Sequence, residues 1–289
     1  MKELFTNPTF RYALAAGAAL GIACALLSVL VVLRRWAFIG EGISHAGFGG
    51  VGTSWLLSLV IPAFGGGQAA YITAVAFCLA MALCIGWVSR RERLNADAAI
   101  GIVMVASLAW GFVALGIYQN AGSPQGASSG WEIYLLGDLR AVTQGAAMRA
   151  LGIAAAVVGA LALMSKEILF YCMDPELAEL SGVRAGFVHY VLMLMLAMVI
   201  VVGMQLAGVL LVTALLVLPG ATALSVSRRL RTVLIVAMIV GVIGTVGGLA
   251  LKAAWPFLPS GPAMALVLVA EFLVAYVWGL IPKRATSSG

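Results

Sequence analysis

Apolar runs of membrane-spanning length, each closed by a short basic cluster, set the limits on how this chain can fold. The first runs from about Tyr12 to Leu33 and stops at Arg34-Arg35. The third runs from about Ala69 to Val88 and stops at Ser89-Arg90-Arg91-Glu92-Arg93. A bilayer core about 30 Å thick needs about 20 apolar residues in a helix. The runs lack the ten-residue alternation of outer-membrane strands, so the helical class follows. Only 10% of the 289 residues are charged and 63% are hydrophobic, against about 25% charged in soluble chains. The expectation is an all-α polytopic integral membrane helical bundle of eight or nine transmembrane helices. Residues 1–289 form a single transmembrane domain, with no soluble domain of any size.

The other runs are expected at about Ser44–Pro62, Ala98–Tyr118, Ala146–Met164, Thr232–Leu251 and Ala263–Ile281. Between Phe187 and Ala223 lies an apolar stretch interrupted at Gly203 to Gly208, read as an ordinary span followed by a short or broken helix. Gly65-Gly66-Gly67 reads as a turn. Gln119 to Arg140 is a polar interval, flexible in its first half, with Trp131 and Tyr134 placed to anchor its second half at the interface. Asp174 precedes Pro175 in the pattern of a capped helix start. The N-terminus is polar and its first apolar run long, which reads as a retained span rather than a cleaved signal.

The net charge of +6 sits in clusters at the ends of the apolar runs. That is the positive-inside pattern, and it argues for orientation in a lipid bilayer rather than for nucleic acid. Arg34, Arg90–Arg93, Arg228–Arg231 and Lys283-Arg284 all fall on the cytoplasmic side if the N-terminus is outside and the chain crosses nine times. The segments 166–184 and 219–231 are then cytoplasmic. Cys24, Cys78 and Cys84 lie in apolar runs and no CxxC spacing occurs, so packing accounts for them.

Within this frame one stretch stands out, RRWAFIGEGISHAGFGG from Arg34 to Gly50. In a helix, Glu41 and His45 lie on one face, one above the other. The surrounding glycines permit close approach or local unwinding. A carboxylate and an imidazole suit a borderline divalent metal such as zinc, iron(II) or manganese. A hydrogen-bonded pair at a helix bend would use the same residues. One acid and one histidine make a poor metal site alone, whereas two copies about a dimer axis would supply two of each. The HExxH of zinc proteases is absent. Elsewhere, His189 reads as a packed histidine. Glu271 sits inside the last span, where a carboxyl must be protonated, paired or facing water; it marks an intramembrane polar site.

Six segments, in order, resemble the membrane subunit of bacterial ABC importers for divalent metals, the zinc/manganese/iron permease family. RRWAFIGEGISHAG resembles that family's RR-x-x-x-I-G-(D/E)-x-x-S-H-A signature. RLNADAAIGIVM, EIYLLGDL, DPELAELSGV, AGVLLVTALLVLPGATA and LPSGP are similar to its later elements. The resemblance implies that Glu41 and His45 coordinate the transported metal, manganese, zinc or iron(II), with no cofactor bound permanently. It implies a homodimer in the bacterial plasma (inner) membrane, fed by an extracytoplasmic metal-binding protein and docked on cytoplasmic ATP-binding subunits. It places the ATPase-coupling region on Pro219 to Arg231, including Arg228 and Arg229, with Asp174 to Gly182 bracing it. No GxxxxGK[ST] occurs, so ATP hydrolysis falls to a partner and the chain itself is not an enzyme. The competing expectation is a proton-coupled secondary transporter with Glu271 and Glu41 as relay carboxylates.

Overall fold

The computed structural model describes residues 8–65, 67–90, 96–121, 143–255 and 257–280. The helices are α1 (Pro8–Leu33), α2 (Ile39–Val60), α3 (Gly67–Ser89), α4 (Ala96–Asn120), α5 (Gln144–Leu163), α6 (Ser165–Met173), α7 (Pro175–Leu180), α8 (Ala185–Ala207), α9 (Val209–Val226), α10 (Leu230–Ala254) and α11 (Ser260–Leu280). The described residues contain no strand. Trp131, Tyr134, Arg91–Arg93 and Lys283-Arg284 lie outside the described residues.

Among the described residues, eight helices are long and apolar enough to cross a membrane. The ninth of comparable length is α2, with 22 residues, about 33 Å at 1.5 Å per residue. Glycine, serine, Glu41 and His45 dilute its hydropathy, so it needs protein around it rather than lipid. It packs against α3 and α4 along its length and also touches α8 and α9. Close backbone approach makes this possible. A Cβ at Gly50 would sit 2.5 Å from Ala74 Cα on α3, and one at Gly42 would sit 2.7 Å from an Ile100 methyl on α4. The glycines serve contact, and α2 runs unbroken from Ile39, earlier than the apolar run beginning at Ser44.

Among the described candidate spans α8 is the most buried, with Leu192, Met193, Leu196, Ile200 and Met204 inside. It meets α9 with a single residue between them. Gly208 takes φ 84° and ψ 166°, a left-handed φ that favours glycine. Val212 packs on Gly203 across this corner. The second helix is therefore 18 residues long, not the short fragment expected, because the reversal uses one residue instead of a loop.

Arg34 and Arg90, beyond the ends of α1 and α3, come together at one end of the bundle. Arg34 reaches Tyr171 of α6, and Arg90 reaches Glu179 of α7. Leu33 packs with the ends of α9 and α10 around Ala223 and Val233. The positive-inside rule assigns a basic end of this kind to the cytoplasmic side. The helices α6 and α7 lie there between spans. Asp174 Oδ1 accepts from Leu177 N at 3.0 Å, with Pro175 in the first turn, as the sequence pattern predicts. Asp174→Ala is expected to cost about 1 kcal/mol of local stability. Hydrogen exchange over residues 175–180 should accelerate, and Asp174→Asn should restore most of the protection. Unchanged exchange in the alanine variant would show that the cap contributes nothing.

Candidate metal path and its cytoplasmic anchor

An elbow between α1 and α2 precedes the Glu41–His45 pair. Trp36 N donates to Val31 O at 2.9 Å and Arg35 N to Val32 O at 3.1 Å, the paired bonds of a Schellman cap. Arg35 occupies the left-handed position at φ 58°, which usually belongs to glycine and costs a side-chain-bearing residue about 1–2 kcal/mol. The chain thus turns sharply and re-enters the helix at Ile39.

Glu41 lies in the first turn of α2 and His45 one turn on, both half-buried. His45 Nδ1 lies 2.8 Å from the Glu41 carbonyl oxygen. A carbonyl only accepts, so this nitrogen carries the proton and donates. In the neutral ring Nε2 is then left as a lone-pair donor, the tautomer that a metal ligand needs. Ser44 Oγ donates to the same carbonyl at 3.0 Å, and Phe48 meets the imidazole edge-on at 5.8 Å. Cys78 Sγ donates from α3 to Ile43 O at 3.4 Å. The ring is oriented by its own helix and held by neighbours. Among the described residues no three His, Cys, Asp or Glu side chains gather to hold a metal ion. One copy of the chain offers a pair.

At the elbow, four aromatic and basic side chains interlock. Arg34 donates to Tyr171 Oη at 3.1 Å and lies over the Tyr171 and Trp36 rings, at 4.5 and 5.2 Å from their centroids. His189 of α8 is buried. Its Nε2 faces the Gly86 carbonyl at 3.1 Å, so that nitrogen carries the proton and Nδ1 accepts from Tyr171 Oη at 2.8 Å. Burial pushes the Tyr171 phenol up, opposed by the Arg34 guanidinium, which suits a neutral phenol that donates. Trp36 meets His189 edge-on at 5.4 Å. This knot ties α6 to α1, α3 and α8 three residues before α2 begins. His189 is packed, as expected. Sequence reading missed the role of Tyr171 and of Arg34 beyond topology, because the two are 137 positions apart and no local pattern links them.

The structure divides the segment 219–231. Pro219 lies inside α9 and is buried, with Gly220 against the Ser28 backbone of α1. Only Ser227 to Arg229 separate α9 from α10. Arg228, Arg229 and Arg231 are exposed there, and Ser227 Oγ accepts from Arg229 N at 3.1 Å. The segment between these spans is therefore confined to the turn after Val226, and Pro219 is a covered residue inside α9, where Thr222 Oγ1 donates to the Leu218 carbonyl oxygen at 2.7 Å. Glu271 lies on α11, which packs on α9 and α10. Both of its carboxyl oxygens are buried without a hydrogen-bond partner. The structure does not bring Glu271 to the Glu41–His45 pair.

Comparison with known proteins agrees with this architecture. The manganese transport system membrane protein MntC of Halalkalibacterium halodurans is 32% identical over 282 residues, covering 98% of this chain and 90% of that protein. The chelated iron transport system membrane protein YfeD of Yersinia pestis is 30% identical over 283 residues, covering 97% and 89%. Among solved structures, PsaBC from Streptococcus pneumoniae in complex with Fab superposes with a TM-score of 0.78 at 26% identity, covering 95% of this chain and 93% of that one. The description of the ABC 3 transport family matches residues 6–279. The chain belongs to the ABC 3 transport family, as a multi-pass permease of the bacterial plasma membrane.

Proposed function

We propose that this permease forms the membrane path of an ATP-driven importer for a divalent transition metal, with manganese and iron(II) ahead of zinc. The observation that carries the reading is the His45 tautomer. The Glu41 carbonyl fixes the proton on Nδ1 and leaves Nε2 for the metal, one helical turn from Glu41 on the same helix. The relatives named for manganese and iron transport support the metal class. Two copies meeting at α2 would offer two imidazoles and two carboxylates, a donor set for such ions. Metal delivered from an extracytoplasmic binding protein would be held there loosely enough to leave.

Cytoplasmic ATP-binding subunits would dock on α7 and on the turn at Arg228 and Arg229. Leu177 and Leu180 are 50% and 84% exposed on α7, an apolar face outside the bilayer. Motion of α6 and α7 reaches the elbow through Tyr171 and Arg34, and so reaches the helix carrying Glu41.

The test is metal uptake into vesicles holding the permease with its ATPase and binding protein, scanned over manganese, iron(II) and zinc. ATP-dependent accumulation of one of them is expected. Glu271→Gln should leave that uptake within about twofold, because it keeps the size and polarity of a side chain that the structure does not bring to the pair. Uptake that ignores ATP, follows a pH gradient and collapses in Glu271→Gln would refute the importer reading.

A further inference from the structure

A cleft of about 210 Å³ opens at the cytoplasmic end between the knot, α7 and the start of α8. Arg34, Ser89, Arg90, Tyr171 and Glu179 line it, so two guanidinium groups face one carboxylate. The ion pair within it, Arg90 to Glu179, is 3.9 Å long with the two side chains 45% and 59% exposed, and pairs of that kind contribute little. Arg34 forms no ion pair among the described residues, and its Nε is buried without a hydrogen-bond partner. Its charge rests on two aromatic faces, which attract it but do not neutralise it. A partly buried cation with an unmet donor calls for a counter-ion.

Guanidinium groups present planar sets of donors that match phosphate oxygens. Arg34 follows the end of α1 and Arg90 the end of α3, and basic pockets at the ends of spans on the cytoplasmic side take phosphate headgroups. Trp87 and Phe187, each within two residues of the cleft's walls, are 52% and 60% exposed and supply apolar surface for acyl chains. We propose that this cleft is a phosphate-anion site, in which Arg34 and Arg90 hold the phosphate of an anionic phospholipid or a free phosphate ion. A bound phosphate competes with Glu179 for Arg90, so the acid weakens the site.

The experiment is native mass spectrometry of the intact permease purified from membranes containing phosphatidylglycerol and phosphatidylethanolamine, with thermal-shift titration by inorganic phosphate alongside. Retained phosphatidylglycerol, reduced about tenfold in Arg90→Gln and increased in Glu179→Gln, identifies a lipid site; the loss of one charge-assisted contact is of that size. No retained lipid, but stabilisation by phosphate that Arg90→Gln removes and Glu179→Gln strengthens, identifies a free-anion site. Arg34→Gln also cuts the knot, so Arg90 and Glu179, both largely solvent-facing, carry the test. Equal lipid retention and equal phosphate response in wild type, Arg90→Gln and Glu179→Gln would overturn the proposal.

Discussion

His45→Ala is expected to abolish ATP-driven metal uptake, by at least about 100-fold, while the permease still assembles with its ATPase. The magnitude follows from coordination chemistry. Removing a residue that merely orients a metal ligand already costs 10–100-fold, and in a two-copy site this change removes two ligands at once. His45 makes its intramolecular bond to its own helix, so its loss leaves the packing of α2 on α3 and α4 in place. Glu41→Ala should fall as far. Glu41→Asp should retain much of the activity, since it keeps the carboxylate and shortens its reach by one methylene. Tracer uptake alongside ATPase activity in the same vesicles checks all three. Normal uptake in both alanine variants would remove the pair from the path.

The second large effect concerns the fit of α2 rather than its chemistry. Gly50→Val is expected to prevent stable folding or to lower the thermal midpoint sharply. Even a single Cβ at that position would lie 2.5 Å from Ala74 Cα, 2.9 Å from Phe77 Cβ and 3.1 Å from the Thr73 carbonyl oxygen. Backbone cannot swing aside as a side-chain tip can, so α2 and α3 must separate. Overpacking of this kind costs about 1–3 kcal/mol and occasionally more, and here the displaced helix carries Glu41 and His45. Gly101→Ala, at a glycine of α4 with nothing within 4 Å of a Cβ, is the control and should be silent. Fluorescence-detected size exclusion after a heating series separates the two. A Gly50→Val variant as stable as wild type would mean that α2 is less tightly seated than the structure places it.

Several features of the fold are legible in the sequence itself. The long apolar runs translate directly into helices, because lipid offers no other backbone solution than internal hydrogen bonding. The cap at Asp174 is local chemistry and was visible as Asp-Pro before a helix-forming stretch. The Glu41–His45 pair was visible as a spacing, and the resemblance to metal permeases rested on the same residues. What the sequence hid is set by distance and by exception. The second span carries an acid, a histidine and six glycines, so its polarity obscures its start at Ile39. The corner at Gly208 hides a full second helix, because one left-handed glycine leaves no loop to notice. Pro219 looked like an interruption and is a covered helix residue. Tyr171, Arg34 and His189 come together from α6, the end of α1 and α8, and no periodicity in any one of those segments announces the meeting. The His45 tautomer likewise depends on a bond seen only once the helix is built.

The central claim is that metal passes through the Glu41–His45 pair contributed by two copies of the chain. X-ray absorption at the metal edge of the purified complex, loaded with manganese, tests it most directly. The account predicts a first shell of nitrogen and oxygen with scattering from two imidazole rings, lost when His45 is replaced by alanine. A bound metal with no imidazole in its shell, or a spectrum identical in wild type and His45→Ala, would contradict it.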